Sequence, residues 1–402
     1  MSVDELRNAM VEGIAERTLG MVLGDEIRRA LLAVPRHVFA EDDADVETAY
    51  RDVAIVTKRD EERGINTSSV SAPWLQAVML GQAGLKPGDR VLEVGSGGYN
   101  AALIREIVGA AGSVTTLDID PDISARAVRC LGAAGYDDVE VVCADAEFAL
   151  HGDRTFDAII VTVGAWDVPP AWSEQLAADG RLVVPIRMKG LTRSWLLERQ
   201  GDVLVSRGHV ACGFVPMMGA GEHVGTGVPV LEEPRVSLWM DELDSADAGQ
   251  LAGVLDLPRA ETWTDVLIDR DEVFSDQDLW LAATLPGFAL VTCSQEAIDQ
   301  GVVALPWQCG TPAFVDGPTL AYRPKPRQLD DGRYEFGAFA HGSDAHAAAR
   351  LLAEQIAAWD RAGRPEPRLS VYPLGTPDVD LPDGFVLTKR HSRLVISWPS
   401  AR

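Results

Sequence analysis

The sequence is short of positive charge: 36 Lys and Arg stand against 61 Asp and Glu in 402 residues, a formal net charge of −25. Such a field repels polyanions, and no run of Lys or Arg offers a footprint for phosphates. Nucleic acid and anionic membrane surfaces are therefore poor partners. Cysteines are few and scattered (Cys130, Cys143, Cys212, Cys293, Cys309), without a C-x-x-C pair. That excludes a disulfide framework and a cysteine zinc site, and it suits reduced thiols in the cytoplasm. No apolar run approaches the roughly 20 residues of a membrane span, and Asp4 and Glu5 stand where a secretory signal needs basic residues. Global disorder is excluded too. With 47% hydrophobic and 24% charged residues, the chain can bury large cores, and its length favours two domains.

Apolar residues at helical spacing (Leu6, Met10, Ile14; Ile27, Leu31) predict helices over 4–17 and 24–33, the second ended by Pro35. An irregular piece from Gly64 to Ser71 precedes a helix from about Pro73 to Gly84. From residue 90, runs without polar alternation (91–95, 114–120, 139–145, 156–163, 180–186) alternate with helical segments. These are strands buried on both faces of a parallel sheet, so the fold class is α/β, a doubly wound, Rossmann-like domain. The Gly- and Pro-rich segment 213–230 reads as a connector. Beyond it, strands at 235–240, 264–268, 288–293, 319–323, 333–340, 368–372 and 393–398, with helices near 245–254, 277–284 and 344–360, predict a smaller α+β domain. The expected partition is a helical segment at 1–89 packed on the doubly wound unit of 90–212, the connector, and a C-terminal domain at 231–402.

The strand VLEVG opens directly into SGGYNAAL, so the backbone turns at Gly95, Gly97 and Gly98 before a helix begins. Glycines there let a nucleotide-like ligand approach the main chain, and the helix N-terminus supplies free N–H groups. Asp118 ends the second strand, where a carboxylate can accept hydrogen bonds from ribose hydroxyls, and Asp145 ends the third, near an adenine edge. Both acids lie on the carboxyl edge of the sheet, where open α/β sheets bind ligands. The alternative makes them helix N-caps. GSGGYN lacks the third glycine of the nicotinamide pattern, whereas Glu93 completes E/D-x-G-x-G, the first motif of S-adenosylmethionine-dependent methyltransferases.

Several motifs then follow in order: VPRHVFA (34–40), AYRD (49–52), SSVSAP (68–73), VLEVGSGGY (91–99), LDID (117–120), AD (144–145), and FDAII with QLAADGRLVVPI (175–186). Over roughly the first half of the chain, the sequence resembles the protein-L-isoaspartate O-methyltransferase family. The resemblance implies a class I methyltransferase fold that binds S-adenosyl-L-methionine and releases S-adenosyl-L-homocysteine. It implies a donor site from Ser69, Val70, Ser71, Glu93, Gly95, Ser96, Gly97, Tyr99, Asp118, Ile119, Asp145 and Ala146, and an acceptor side from Thr67, Ser68, Ser69, Val70 and Trp74. Ser71 is the implied catalytic residue, beside both donor and acceptor carboxylate. It also suits the N-cap of the helix after it.

The chain departs from the family in three places. Its glycine loop is one residue shorter than G-S-G-S-G-Y, Trp74 stands where His is common, and the chain continues far beyond the methyltransferase domain. The appended domain, the Gly-Gly-Tyr-Asn loop and CGFVPM (212–217) resemble a branch associated with ribosomally made, modified peptides such as lanthipeptides and graspetides. That branch implies methylation of an ordinary aspartate in a constrained precursor peptide, with the ester closing to succinimide (aspartimide) and opening to isoaspartate. The C-terminal domain is then expected to recognise the peptide. Repair of isoaspartate in damaged proteins is the alternative, and a non-catalytic peptide-binding module a third.

No metal is expected, because His341 and His346, with Asp344 between them, are five apart and do not share a helical face. Cys212 lacks a nucleophile's context, and no G-x-S-x-G elbow appears. Lys389, Arg390, His391 and Arg393 fall in an expected hairpin (385–398), read as a solvated edge, with an acidic peptide as the alternative occupant.

Overall fold

The computed structural model describes residues 1–17, 23–40, 45–95, 97–241 and 248–399. Ser96 and the start of the helix expected at 245–254 lie outside them. Two helices open the chain as their spacing predicts, α1 (Val3–Arg17) and α2 (Asp25–Ala33), the latter burying Ile27, Ala30 and Leu31. The single turn α3 (Val46–Ala49) leads to a hairpin of β1 (Ile55–Asp60) and β2 (Ile65–Val70). This corrects the irregular piece expected from Gly64: the polar run INTSSV carries little strand signal by itself and is held by its ladder with β1. Helix α4 (Pro73–Ala83) has Pro in its first turn and stops at Gly84, whose φ of +53° is left-handed.

Strands and helices then alternate as β3 (Arg90–Val94), α5 (Tyr99–Val108), β4 (Ser113–Asp118), α6 (Pro121–Ala133), β5 (Glu140–Cys143), β6 (Phe156–Val161), α7 (Pro170–Gln175) and β7 (Leu176–Met188). Parallel pairing gives the spatial order β5-β4-β3-β6-β7. The direction of winding reverses between β3 and β6, and such a switch point opens a ligand crevice. Two further antiparallel strands, β8 (Leu191–Gln200) and β9 (Val203–Ala211), extend the sheet beyond the strands expected from the sequence. Trp195 of β8 is wholly buried.

The second sheet runs through β10 (Thr226–Leu231), β11 (Val236–Met240), β12 (Ala260–Ile268), α8 (Ser275–Thr284), β13 (Phe288–Cys293), α9 (Gln295–Asp299), β14 (Thr311–Asp316), β15 (Thr319–Tyr322), β16 (Arg327–Gln328), β17 (Tyr334–His341) and α10 (Ala345–Arg361). Its strands are antiparallel, in the order β10-β11-β13-β14-β15-β17-β12, with β16 beside β17. Helix α10 buries Ala348, Leu352, Ile356 and Trp359, the stripe its sequence predicts, while Leu351 is only half-buried. The described part of 245–254 forms short 3-10 turns, not a helix.

The last strands do not complete this sheet. β18 (Arg368–Pro373) pairs with β9, β20 (Ser392–Ser397) with β18, and β19 (Phe385–Thr388) with β20, so the first sheet has ten strands, β19-β20-β18-β9-β8-β7-β6-β3-β4-β5. The C-terminal unit expected at 231–402 is therefore divided. Leu369, Val371, Leu394 and Ile396 face the same apolar cluster as Leu197 and Leu204, and burying them there costs less than leaving the β9 edge bare. The second sheet is thus an insertion between two neighbouring strands of the first. Among the described residues, no helix is long and apolar enough to cross a membrane.

Candidate active site: a crevice and a groove meeting at Pro216

At the switch point Gly95 has a φ of +97°, and a Cβ there would lie 2.7 Å from Thr162 Oγ1. Thr162 closes the contact, donating its N–H to Val94 O at 2.7 Å and its hydroxyl to Gly95 O at 2.8 Å. Gly95 is thus required by backbone conformation and by the close approach of β6. Gly98, at φ +80°, caps α5 against the ring of Phe39, which comes from the VPRHVFA segment. Gly97 faces more open space, its nearest neighbour being Ser69 O, 3.7 Å from a notional Cβ. A side chain there would project over the end of β2.

Thr67, Gly95, Asp118, Ile119 and Ala146 converge on one crevice at this edge, and Pro216, Met217 and Met218 form its far wall. Asp118 Oδ1 accepts from Asp120 N at 2.9 Å. Asp120, not Asp118, caps α6, and it also binds Lys58 Nζ at 2.6 Å. The N-cap alternative for Asp118 is thereby replaced. Asp145 takes Glu147 N at 2.9 Å and Ala220 N at 2.8 Å, joining the turn after β5 to the strap of chain that follows β9. Gly219 fits beneath that bond because a Cβ there would collide with Ile119 Cδ1 and Asp145 Oδ2.

Other residues implied by the resemblance point elsewhere. Glu93 is 1% exposed beneath the glycine turn and accepts Thr116 Oγ1 at 2.5 Å; burial, opposed by that hydrogen bond, pushes its carboxyl up to about 7. It supports the crevice from below and does not line it. Tyr99 is likewise buried, its ring under the Arg36 guanidinium at 4.9 Å, and burial pushes its phenol up to about 12. Val70 packs in the core, and Ser68 accepts the Thr57 hydroxyl at 2.8 Å. Thr67 borders the crevice, not the acceptor side. On β2 the strand period sets Ser68 and Val70 on one face and Thr67 and Ser69 on the other.

Beyond Pro216 lies a groove of about 550 Å³ that takes in Ser69, Ser71 and Trp74, with Val56, Asn66 and Phe214 among its other walls. Pro216 lines both spaces, so a ligand in the crevice and one in the groove would meet there. Ser71 does not cap α4: Ala72 holds that position without a side-chain bond, and Asp52 Oδ1 accepts from Trp74 N at 2.9 Å instead. The Asp of AYRD thus braces the helix start that presents Ser71 and Trp74.

The functional residues that sequence reasoning passes over are Pro216, Met217, Met218 and Asp52. CGFVPM is visible as a motif, but its Gly- and Pro-rich surroundings read as a connector. Burial pushes the Cys212 thiol up to about 12, and among the described residues no group of His, Cys, Asp and Glu could hold a metal. The crevice suits a nucleoside bearing an amino acid, with apolar walls for a base, a strand-end carboxylate for hydroxyls and an accessible glycine turn.

Comparison with known proteins agrees. Residues 6–222 match the family protein-L-isoaspartate(D-aspartate) O-methyltransferase (PCMT). The protein-L-isoaspartate O-methyltransferase of Methanopyrus kandleri is 34% identical over 216 residues, covering 53% of this chain and 91% of the relative. That of Pyrococcus horikoshii is 37% identical over 204 residues, 50% and 88% of the two chains. A solved structure described as protein-L-isoaspartate O-methyltransferase aligns with 90% of this chain and 96% of its own at 21% identity and a TM-score of 0.50, a likeness of fold that extends past the methyltransferase domain. The chain belongs to the protein-L-isoaspartate O-methyltransferase family and is an S-adenosylmethionine-dependent carboxyl O-methyltransferase.

Proposed function

We propose that this protein methylates the side-chain carboxylate of an aspartate in a conformationally constrained ribosomal peptide of the lanthipeptide or graspetide kind, acting in the cytoplasm. The observation that carries this reading is Trp74, which stands where His is common in the family and lines the groove beside Ser69, Ser71 and Phe214.

The donor supplies a methyl group on a sulfonium. A carboxylate is already anionic at neutral pH, so a carboxylate oxygen displaces the sulfur in line and no general base is required. This chain's part is positioning and exclusion of water. Asp118 and the glycine turn would hold the donor, while Ser71 and Ser69 would orient the acceptor through hydroxyl and backbone donors. In the ester so formed, the backbone nitrogen of the next residue attacks the carbonyl and expels methanol, leaving a succinimide. Water opens the ring to aspartate and isoaspartate.

Repair of isoaspartyl sites is the second reading, favoured by the relatives' names and by the solved structure that spans nine-tenths of this chain. The second sheet alone therefore does not separate the two. Mass spectrometry after incubation with donor and either a constrained Asp peptide or a linear isoaspartyl peptide does. Gain of a methyl or loss of a water on the constrained peptide supports tailoring. Reaction with the linear isoaspartyl peptide alone supports repair.

A further inference from the structure

The last hairpin is not the solvated basic edge expected from its sequence. Lys389 is buried with Nζ over the Trp166 ring, Arg390 Nη1 donates to Ala220 O, His391 Nε2 meets Glu147 Oε1 at 2.5 Å, and Arg393 pairs with Asp378 at 2.5 Å. Two of these contacts end on the segments that frame the crevice. Ala220 belongs to the strap and donates its own N–H to Asp145, while Glu147 belongs to the turn after β5 and forms an ion pair with Arg390 at 3.7 Å besides its contact with His391.

The strap between β9 and β10 has no regular ladder over Met217 and Met218, the residues that wall the crevice. Its place is fixed by discrete bonds: Met217 N to Gly164 O at 3.0 Å, Ala220 N to Asp145, Ala220 O to Arg390, and Glu222 to Arg63 of the β1–β2 hairpin at 2.5 Å. Glu147, with its carboxylate 9% exposed, keeps Arg390 aimed at the strap. A charge-assisted hydrogen bond in this half-shielded setting is stronger than a neutral one.

We infer that Arg390, held by Glu147, is a positioning residue for the methyl donor: it clasps the strap so that Met217 and Met218 close the donor crevice, and the chain's last hairpin thereby completes a site built mainly by its first half. This rests on the reading of the crevice as the donor site. Arg390 touches no reacting atom and acts through the strap.

The test is calorimetry of S-adenosyl-L-homocysteine with Arg390→Ala, Glu147→Gln, the double variant and Asp118→Ala, beside steady-state KM values for donor and peptide. Arg390→Ala should weaken S-adenosyl-L-homocysteine about tenfold, the factor that a net hydrogen bond of about 1.4 kcal/mol is worth. The donor KM should rise with it while the peptide KM stays put. The double variant should be no worse than Arg390→Ala, since both remove one clasp, and Arg390→Lys should recover part of the loss. Unchanged or tighter binding in Arg390→Ala, or equal rises in both KM values, overturns the inference when Asp118→Ala has weakened binding. Unchanged binding in Asp118→Ala removes the donor reading itself.

Discussion

Glu93 offers a test of the buried architecture that needs no substrate. Its carboxyl is 1% exposed, with one hydroxyl donor, Thr116, and holds its proton up to about pH 7, against an ordinary value of 4.5. In the unfolded chain the same group ionises near 4.5, so between those values the folded state carries an extra proton. Stability is therefore highest below about pH 4.5 with respect to this group and falls as pH rises towards 7 and beyond. At about 1.36 kcal/mol per pH unit the full gap is worth about 3 kcal/mol. Glu93→Gln keeps the shape and an acceptor for Thr116 but has no charge to bury. The variant's stability relative to the parent should rise by about 2–3 kcal/mol between about pH 5 and pH 8. Urea unfolding followed by tryptophan fluorescence at both pH values measures that difference, and subtracting parent from variant cancels every other titrating group. A difference that stays constant with pH, or a variant that loses stability at the higher pH, refutes a neutral buried Glu93.

Gly95→Ala forces a Cβ to within 2.7 Å of Thr162 Oγ1 at a φ of +97°; thermal unfolding should show a loss of about 2 kcal/mol or more. Asp52→Ala removes the acceptor for Trp74 N, which should cost about 1 kcal/mol of stability and raise the acceptor KM, with Asp52→Asn restoring most of both. Asp118→Ala should weaken S-adenosyl-L-homocysteine by about tenfold or more in calorimetry. Ser71→Ala should leave that affinity within about twofold while kcat falls, the signature of an interaction made in the transition state.

The sequence makes the doubly wound half legible because strands buried on both faces are continuous apolar runs, and because Gly95 and Gly98 stand where the backbone must take a positive φ. The hairpin at 55–70 is obscure because Asn66, Thr67, Ser68 and Ser69 carry neither run nor alternation and depend on pairing with β1. The return of β18–β20 to the first sheet is obscure for another reason: pairing Val371 with Leu204 is a fact about residues far apart in the chain, and no local pattern encodes it. At the site, the strand-end acids announce themselves. The wall made by Met217 and Met218 does not, because a strap fixed by isolated bonds has the same Gly- and Pro-rich composition as a linker. Glu93 marks the opposite limit, a motif residue whose identity is plain but whose burial, and hence its protonation, only the fold reveals.

The insertion of the second sheet between β9 and β18 also orders events during synthesis. When β9 emerges from the ribosome its outer edge has no partner, and the strand that covers it, at Arg368–Pro373, follows only after the whole inserted sheet has been made. Long-range pairing of this kind is slow, and a bare edge is prone to the wrong neighbours. The inserted sheet can pack its own core in that interval, bringing the two ends of the insertion together and shortening the search that β18 must make. Cutting the chain after the methyltransferase region would thus leave the first sheet with an open edge, whereas replacing only the inserted sheet by a short linker would keep that edge covered.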